Sequence, residues 1–395
     1  MVEGSIPSGR ANFYCHQIIT IISICFAIIA GFLPAHGYSQ NTTNDKKKPL
    51  PLINSDECLE ISRVNSTFFN VPKTYGANFQ KTMDTTSLTP ENTKRLRVAY
   101  FSPNISSSRQ RGTIVIIMGR AEYIEHYCDV IAYLRSHRYG LLIYDLRGQG
   151  ISDRIIHKTK PHFYDKGYVE HYDDYANDHE LLMENFSSSL IRPIYLIGHS
   201  LGGHIALKIL LREQAYLDAN KKHRSPYRKM VMVAPMWQLH NESNLKPIIF
   251  TMGRLAGKYA FFPTQAPYRP ARFLLNPKTH SMQRFYRYND MIAKNKSLRL
   301  GGVTYQWMRA TLASNQNIWQ AVVDDKKLIN NQIPLLVMNA NDDTIVNAIA
   351  ANDIAKHIGL TNIVNFDDYK HALLQEDNPR LQKVFDNMID FFNKR

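Results

Sequence analysis

"YLIGHSLGGHIAL", residues Tyr195 to Leu207, decides the fold. Its first residues form a short apolar run, as expected of a strand buried on both faces. From Leu201 onward the apolar residues follow helical spacing. Between the two, Ser200 stands in a G-x-S-x-G pattern. A residue placed there is forced onto a sharp turn, and Gly198 and Gly202 leave room for the strained backbone and for close helix–strand packing. The hydroxyl then projects above the carboxyl end of the strand, near the positive end of the helix that follows.

The surroundings repeat the same strand–helix rhythm. "RLRVAYF" (Arg95 to Phe101) has the alternating character of a strand, and "TIVIIM" (Thr113 to Met118) is a continuous β-branched run. A helical pattern through Tyr123 to Arg135 leads into "GLLIYD" (Gly140 to Asp145), a further strand. "YDDYANDHELLMENF" reads as a helix before the Ser200 strand, and "LGGHIALKILLRE" as the helix after it. "KMVMVAP", "PLLVMNA" and "NIVNF" supply later strands. Strands alternating with helices imply a mostly parallel sheet wrapped on both faces, an α/β fold. Residues 237–330 interrupt the rhythm with aromatic and basic residues and the helix "TYQWMRATLA", and are expected to form an inserted, mostly helical cap. The core then falls into two parts, 91–236 and 331–395, preceded by a linker or N-terminal extension over 38–90.

Serine by itself is a weak nucleophile and needs a base held in place by an acid. On this scaffold the order is serine, then a carboxylate, then histidine, with both partners on loops after later strands. "NANDDTIVN" offers Asp342 or Asp343; Asp343 is favoured because the apolar pair Ile345 and Val346 follows it, with Asp342 as the alternative. "FDDYKHALLQED" offers His371 after the last short strand. His199 and His204 flank the serine and are assigned to packing and hydrogen bonding. Asp145 ends a strand but precedes the serine, which is the wrong order. The developing oxyanion needs two backbone donors, one after the serine and one after the third strand. These fall on Leu201 and on Arg120 in the Gly119–Arg120 turn. The Arg120 side chain is then free to reach toward an anionic head group, or else is solvated or bridged to an Asp or Glu.

Four stretches together, "MGRAEYIEHY", "YDLRGQGISD", "GHSLGGHIALKIL" and "THSMQRFYRYNDMIAKNKSLRLGGVTYQWMRATL", resemble the bacterial lysophospholipase branch of the α/β-hydrolase superfamily, close to monoacylglycerol lipases. The resemblance runs from about Arg95 to the C-terminus and includes the cap. It implies the α/β-hydrolase fold, a Ser200–Asp343–His371 triad, and hydrolysis of a single acyl ester in a lipid with a polar head. Monoacylglycerol lipases usually carry His-Gly where this chain has Met118-Gly119; the Gly-Arg turn is more similar to the lysophospholipases. The enzymatic alternatives are a monoacylglycerol lipase, another carboxylesterase or a proline-type aminopeptidase. A peptidase is expected to line its cap with acids for the substrate amine. A non-catalytic, membrane-binding protein on the same scaffold is the remaining alternative.

Charge sharpens the partner reading. The 395 residues carry a formal net charge of +14, which favours anionic partners. Between Asn244 and Leu300 there are eleven Lys or Arg against one acid, Asp290, interleaved with aromatics. That composition suits an anionic membrane surface. It also describes single-strand nucleic-acid binders, but no nucleic-acid motif accompanies it. No His/Cys cluster has metal-ligand spacing, and neither metal nor cofactor is expected.

The N-terminus reads as a targeting segment. Arg10 precedes the apolar run "IITIISICFAIIAGFL", and Ala35 and Gly37 have the spacing of a signal-peptidase site. Export after cleavage within residues 1–37 is expected, to a periplasmic or secreted location. An uncleaved inner-membrane anchor is the alternative, with Lys46, Lys47 and Lys48 favouring a cytoplasmic C-terminal side. Of the four cysteines, Cys15 and Cys25 lie in this segment, so Cys58 and Cys128 can form one disulfide in an oxidising compartment.

Overall fold

The computed structural model describes residues 52–75, 92–103, 110–156, 165–220, 222–324, 333–360 and 362–394. Residues 1–37, read above as a targeting segment, and Lys46 to Lys48 lie outside them. Eight strands form one sheet: β1 (Ser66–Pro72), β2 (Thr93–Phe101), β3 (Gly112–Ile117), β4 (Tyr139–Tyr144), β5 (Ile194–His199), β6 (Tyr227–Val233), β7 (Leu335–Ala340) and β8 (Ile363–Phe366). Their order is β1-β2-β4-β3-β5-β6-β7-β8. β2 runs antiparallel to both neighbours, and every other pairing is parallel. This is the α/β-hydrolase sheet.

The central strands read as unbroken apolar runs because helices cover both faces: every residue of β3, β4, β5 and β7 is buried. The helices are α1 (Ser55–Asn65), α2 (Cys128–Ser136), α3 (Asp173–Phe186), α4 (Leu201–Ala219), α5 (Glu242–Ala256), α6 (Met282–Lys294), α7 (Tyr305–Trp319), α8 (Ala348–His357) and α9 (Asn378–Asn393). Between β6 and β7 the described chain forms α5, α6 and α7 with short 3-10 turns and no strand.

The reading of 38–90 as an irregular linker needs correction, because residues 55–72 form α1 and β1. Neither carries a strong apolar signature. β1 is an edge strand whose burial is confined mostly to Val71 and Pro72, and α1 buries Ser55, Cys58 and Ser62. Specific bonds substitute for apolar area. Cys58 is disulfide-bonded to Cys128 at the start of α2. Ser62 Oγ donates to the buried Glu125 carboxylate at 2.6 Å, and Glu125 in turn accepts from Arg97 at 2.6 and 2.7 Å. Asp129 takes Arg284 and Arg287 of α6, and Arg287 also donates to Ile53 O at 2.7 Å. The extension is therefore fastened to α2 and to α6 at once.

Asp145, just beyond β4, is a structural acid. It accepts from Arg97 Nε at 2.8 Å, Ile124 N–H at 2.9 Å and Ile151 N–H at 2.7 Å. Burial pushes its carboxyl up to about 6 against the pull of Arg97.

Candidate active site

β5 pairs with β3 so that Ile117 lies opposite Gly198, which brings the ends of the two strands together. The chain turns from β5 into α4 through Ser200, whose φ of 53° and ψ of −114° lie in a region that L-residues rarely occupy. The glycines make this turn possible. A Cβ on Gly202 would sit 1.9 Å from Ile117 O, and one on Gly198 would sit 2.4 Å from Gly202 O. Ser200 N–H is held by Val233 O at 2.9 Å, and Ser200 O accepts from Met236 N–H at 3.0 Å. The elbow is thus braced from both sides.

The three sequence-assigned residues meet over this turn. Ser200 Oγ donates to His371 Nε2 at 2.9 Å, and His371 Nδ1 donates to Asp343 Oδ2 at 2.6 Å. The other Asp343 oxygen accepts from Ile345 N–H at 2.7 Å and Val346 N–H at 3.0 Å. Burial opposes ionisation of this carboxyl, but His371 and the two amides hold it below the usual carboxylate range. Asp342 is exposed, so the choice between the two neighbouring acids falls geometrically on Asp343. The turn that hides Asp343 is the one its apolar followers pin down, since Val346 is buried.

The two amides assigned from sequence as oxyanion donors can be traced in the hydrogen-bond pattern. In the turn after β3, Gly119 N–H donates to Glu122 Oε2 at 2.5 Å and Ala121 N–H to Gln149 Oε1 at 3.3 Å. Gln149 Nε2 also donates to Gly119 O at 2.8 Å. The amide between them, Arg120 N–H, has no acceptor among the described residues, and neither does Leu201 N–H at the start of α4. The two amides without an acceptor thus belong to Leu201, next to Ser200, and to Arg120, in the turn after β3.

Glu122 and Gln149 were not singled out by sequence, since a lone Glu three residues past a glycine carries no periodic signal. Glu122 is buried and accepts from Tyr127 Oη at 2.6 Å as well as from His199 Nδ1 at 2.9 Å. His199 Nε2 faces the carbonyl of His371 at 3.3 Å. Both ring nitrogens therefore meet pure acceptors, which requires both to carry protons. Burial disfavours that charge, yet the Glu122 carboxylate raises the His199 pKa above its ordinary value. Burial likewise opposes ionisation of Glu122, and His199 outweighs it and holds the carboxyl well below its usual range. The ion pair links the turn after β3 to the loop that carries His371. His204 behaves as assigned, donating to Met236 O at 3.0 Å and accepting from Ser314 Oγ at 2.7 Å, with burial lowering its pKa to about 3.

Arg120 turns its side chain away from the elbow. Its Nη2 donates to Gly301 O, its guanidinium lies 5.6 Å from the Trp307 ring, and its Nε is buried without a partner. The local charge excess of the cap is smaller than the sequence window implies, because acids outside that window reach in. Arg284 and Arg287 are paired with Asp129, Lys258 with Glu170 and Lys294 with Asp56.

Fold and site together define an α/β hydrolase, with Ser200 on the sharp turn between β5 and α4. The profile of the family described as serine aminopeptidase, S33, matches residues 108–378, and the chain belongs to that family. Lysophospholipase L2 of Escherichia coli K12 is 28% identical over 237 residues, covering 59% of this chain and 64% of that protein's length, just under two thirds. "Probable lysophospholipase L2" of Haemophilus influenzae is 24% identical over 258 residues, covering 64% of this chain and 74% of its own length. Among solved structures, a soluble variant of monoglyceride lipase from Saccharomyces cerevisiae, in complex with a substrate analogue, superposes with a TM-score of 0.58. It is 18% identical, covers 81% of this chain and 98% of its own, and at that identity shares the fold. The resemblance read from the motifs is borne out by these matches.

Proposed function

We propose that this chain is a serine ester hydrolase that releases fatty acid from lysophospholipids through an acyl-enzyme. The observation that carries the reading is the unbroken relay from Ser200 through His371 to Asp343 beside two unpaired amides. His371 Nε2 takes the hydroxyl proton as Ser200 Oγ attacks the acyl carbonyl. The oxyanion is received by the Arg120 and Leu201 amides. His371 then protonates the departing glycerol oxygen, and water attacks the acyl-serine with the same base assisting. The lysophospholipase names of the two relatives support this substrate class. The peptidase alternative lacks support, since no acid lines the cavity beside the site to meet a substrate ammonium group.

The same reading extends to place. Leu274 and Leu275, 93% and 79% exposed, stand beside the exposed Arg269 and Arg272, a composition suited to an anionic membrane surface. The Cys58–Cys128 disulfide supports export, because such bonds persist in oxidising compartments. The test of function is fatty-acid release from lysophospholipids and monoacylglycerols of one chain length, run beside Ser200→Ala. No release from any member by the wild-type protein overturns the proposal. Co-flotation with anionic vesicles, lost in a Leu274→Ser/Leu275→Ser double variant, tests the membrane surface.

A further inference from the structure

A cavity of about 390 Å³ lies under the cap against the candidate site. Arg120 and Ala372 are part of its wall, so it begins at the oxyanion turn and one residue past His371. Tyr268, Phe285, Tyr288 and Leu300 supply apolar wall, yet four Lys or Arg also line it and no Asp or Glu does. Arg284 is already satisfied: it bonds Asp129, Glu376 O and Asn378. Arg120 and Lys278 are not. Arg120 Nε is buried and unpartnered, and Lys278 Nζ makes no hydrogen bond or ion pair among the described residues. Lys278 is held where it is by its backbone, since Ala372 N–H donates to Lys278 O at 2.7 Å, which fixes it beside the loop of His371.

Arg120, whose buried Nε has no partner, faces this space beside the exposed Lys278 at its rim, and the nearest anion, Glu122, is already committed to His199, so the desolvated guanidinium costs free energy in the empty protein. An acyl chain does nothing to relieve that cost. A phosphate does, because Arg and Lys donors match its oxygens. The confinement is felt by Arg120, whose pKa burial lowers, while Lys278 stands exposed at the rim with its charge under the influence of Glu122 and Arg120. His126, also on the wall, is pushed down to about 3 by burial and stays neutral there.

We infer that this cavity is the head-group subsite, in which Lys278 and Arg120 hold the phosphate of a lysophospholipid while its acyl ester lies at Ser200. The inference rests on the ester-hydrolase reading and deepens it, making the two cations the residues that separate phosphate-bearing substrates from neutral monoacylglycerols. The volume is in the range of small-ligand pockets.

The experiment compares kcat/KM for lysophosphatidylglycerol and monoacylglycerol of the same acyl chain, below their critical micelle concentrations, in wild type, Lys278→Met and Lys278→Arg. Loss of a charge-assisted hydrogen bond is expected to lower kcat/KM on the phosphate substrate about tenfold to a hundredfold. The value on monoacylglycerol is expected to change less than about threefold, so the ratio, rather than either rate, carries the result. Lys278→Arg is expected to recover most of the ratio. In a Ser200→Ala background, glycerol 3-phosphate is expected to raise the melting temperature, and Lys278→Met to abolish the rise. That arm separates a head-group subsite from an effect on the lipid tail. An unchanged ratio in folded Lys278→Met overturns the inference even where both lipids are hydrolysed. Absence of hydrolysis of every ester by wild type overturns the underlying reading instead, and the glycerol 3-phosphate arm still tests the subsite.

Discussion

Replacing Glu122 tests whether the buried Glu122–His199 ion pair sets the geometry of the turn after β3. The Glu122 carboxylate accepts from Gly119 N–H, Tyr127 Oη and His199 Nδ1. In Glu122→Ala all three donors lose their acceptor. Gln149 still bonds Gly119 O at 2.8 Å and Ala121 N–H at 3.3 Å, which keeps the chain of the turn in place but leaves the Gly119 amide without its carboxylate acceptor. The Arg120 amide then loses its aim, while Leu201 N–H, fixed by α4, keeps its own. Losing one of two oxyanion donors costs about a hundredfold to a thousandfold in kcat. Because the oxyanion forms after binding, KM is expected to stay within a few-fold.

Stability falls as well, since each buried donor left unpaired costs about 1–3 kcal/mol. Glu122→Gln separates the two effects. Its amide oxygen can still accept from Gly119 and Tyr127, and its NH₂ can donate to a neutral His199 Nδ1, leaving the turn in place. We expect Glu122→Gln to retain kcat within about tenfold of wild type and Glu122→Ala to lose about a hundredfold. The assay is initial-rate hydrolysis of a soluble short-chain p-nitrophenyl ester, with a urea unfolding curve for each variant. If both variants are folded at the assay temperature and both keep kcat within threefold, the ion pair does not position the oxyanion donor and this reasoning fails.

Asp343→Asn is expected to cut kcat about 10⁴-fold by disturbing the His371 tautomer, whereas Asp342→Asn at the exposed neighbour should stay near wild type; comparable losses from both would place the acid elsewhere. Reducing the Cys58–Cys128 bond, or Cys58→Ser, should destabilise the fold by up to about 4 kcal/mol, because the bridge closes a 70-residue separation; an unchanged melting temperature with and without reductant contradicts this. Acid should destabilise the protein. The carboxyls of Glu122, Asp129, Asp343 and Glu376 all titrate below their ordinary values in the fold, despite burial that opposes ionisation. The unfolded chain therefore binds more protons. Their stabilisation is complete above the unfolded carboxylate range, near pH 4.5, and is lost as pH falls through the lowered folded values; a urea midpoint that holds constant from pH 6 to pH 3 rules the linkage out.

The sheet and triad were legible in sequence for a physical reason. Strands buried on both faces must be apolar throughout, and a nucleophile on a strained elbow needs glycine at fixed offsets, so both constraints are written into adjacent residues. The choice of Asp343 over Asp342 was legible because the residues that follow decide which side of a turn is buried. What stayed hidden depends on partners far apart in the chain. α1 and β1 expose much of their surface; the cysteine count offered the Cys58–Cys128 pair, but the links from Ser62 to Glu125 and from Ile53 to Arg287 are encoded by no local pattern. The cap cations looked like one exposed basic face, but Asp129, Asp56 and Glu170 neutralise part of it from outside the window in which charge is counted.

The same long-range logic bears on how the cap can influence chemistry. The loop that carries His371 is bound to cap residues on nearly every side. Glu376, fully buried, accepts from His280 N–H at 2.7 Å, from His280 Nδ1 at 3.0 Å and from Lys370 N–H at 3.0 Å. Thr279 Oγ1 donates to Gln375 O at 2.7 Å, and Lys370 Nζ to Asn276 O at 3.0 Å. The segment that supplies Lys278 to the cavity is therefore the one that braces the loop of His371. A substrate group that engages Lys278 pulls on a backbone bonded directly to Ala372, next to the imidazole, so binding at the cavity and placement of the base share one mechanical element. Binding energy gained remote from the reacting carbonyl is then available to hold the base in register, which raises kcat as well as affinity.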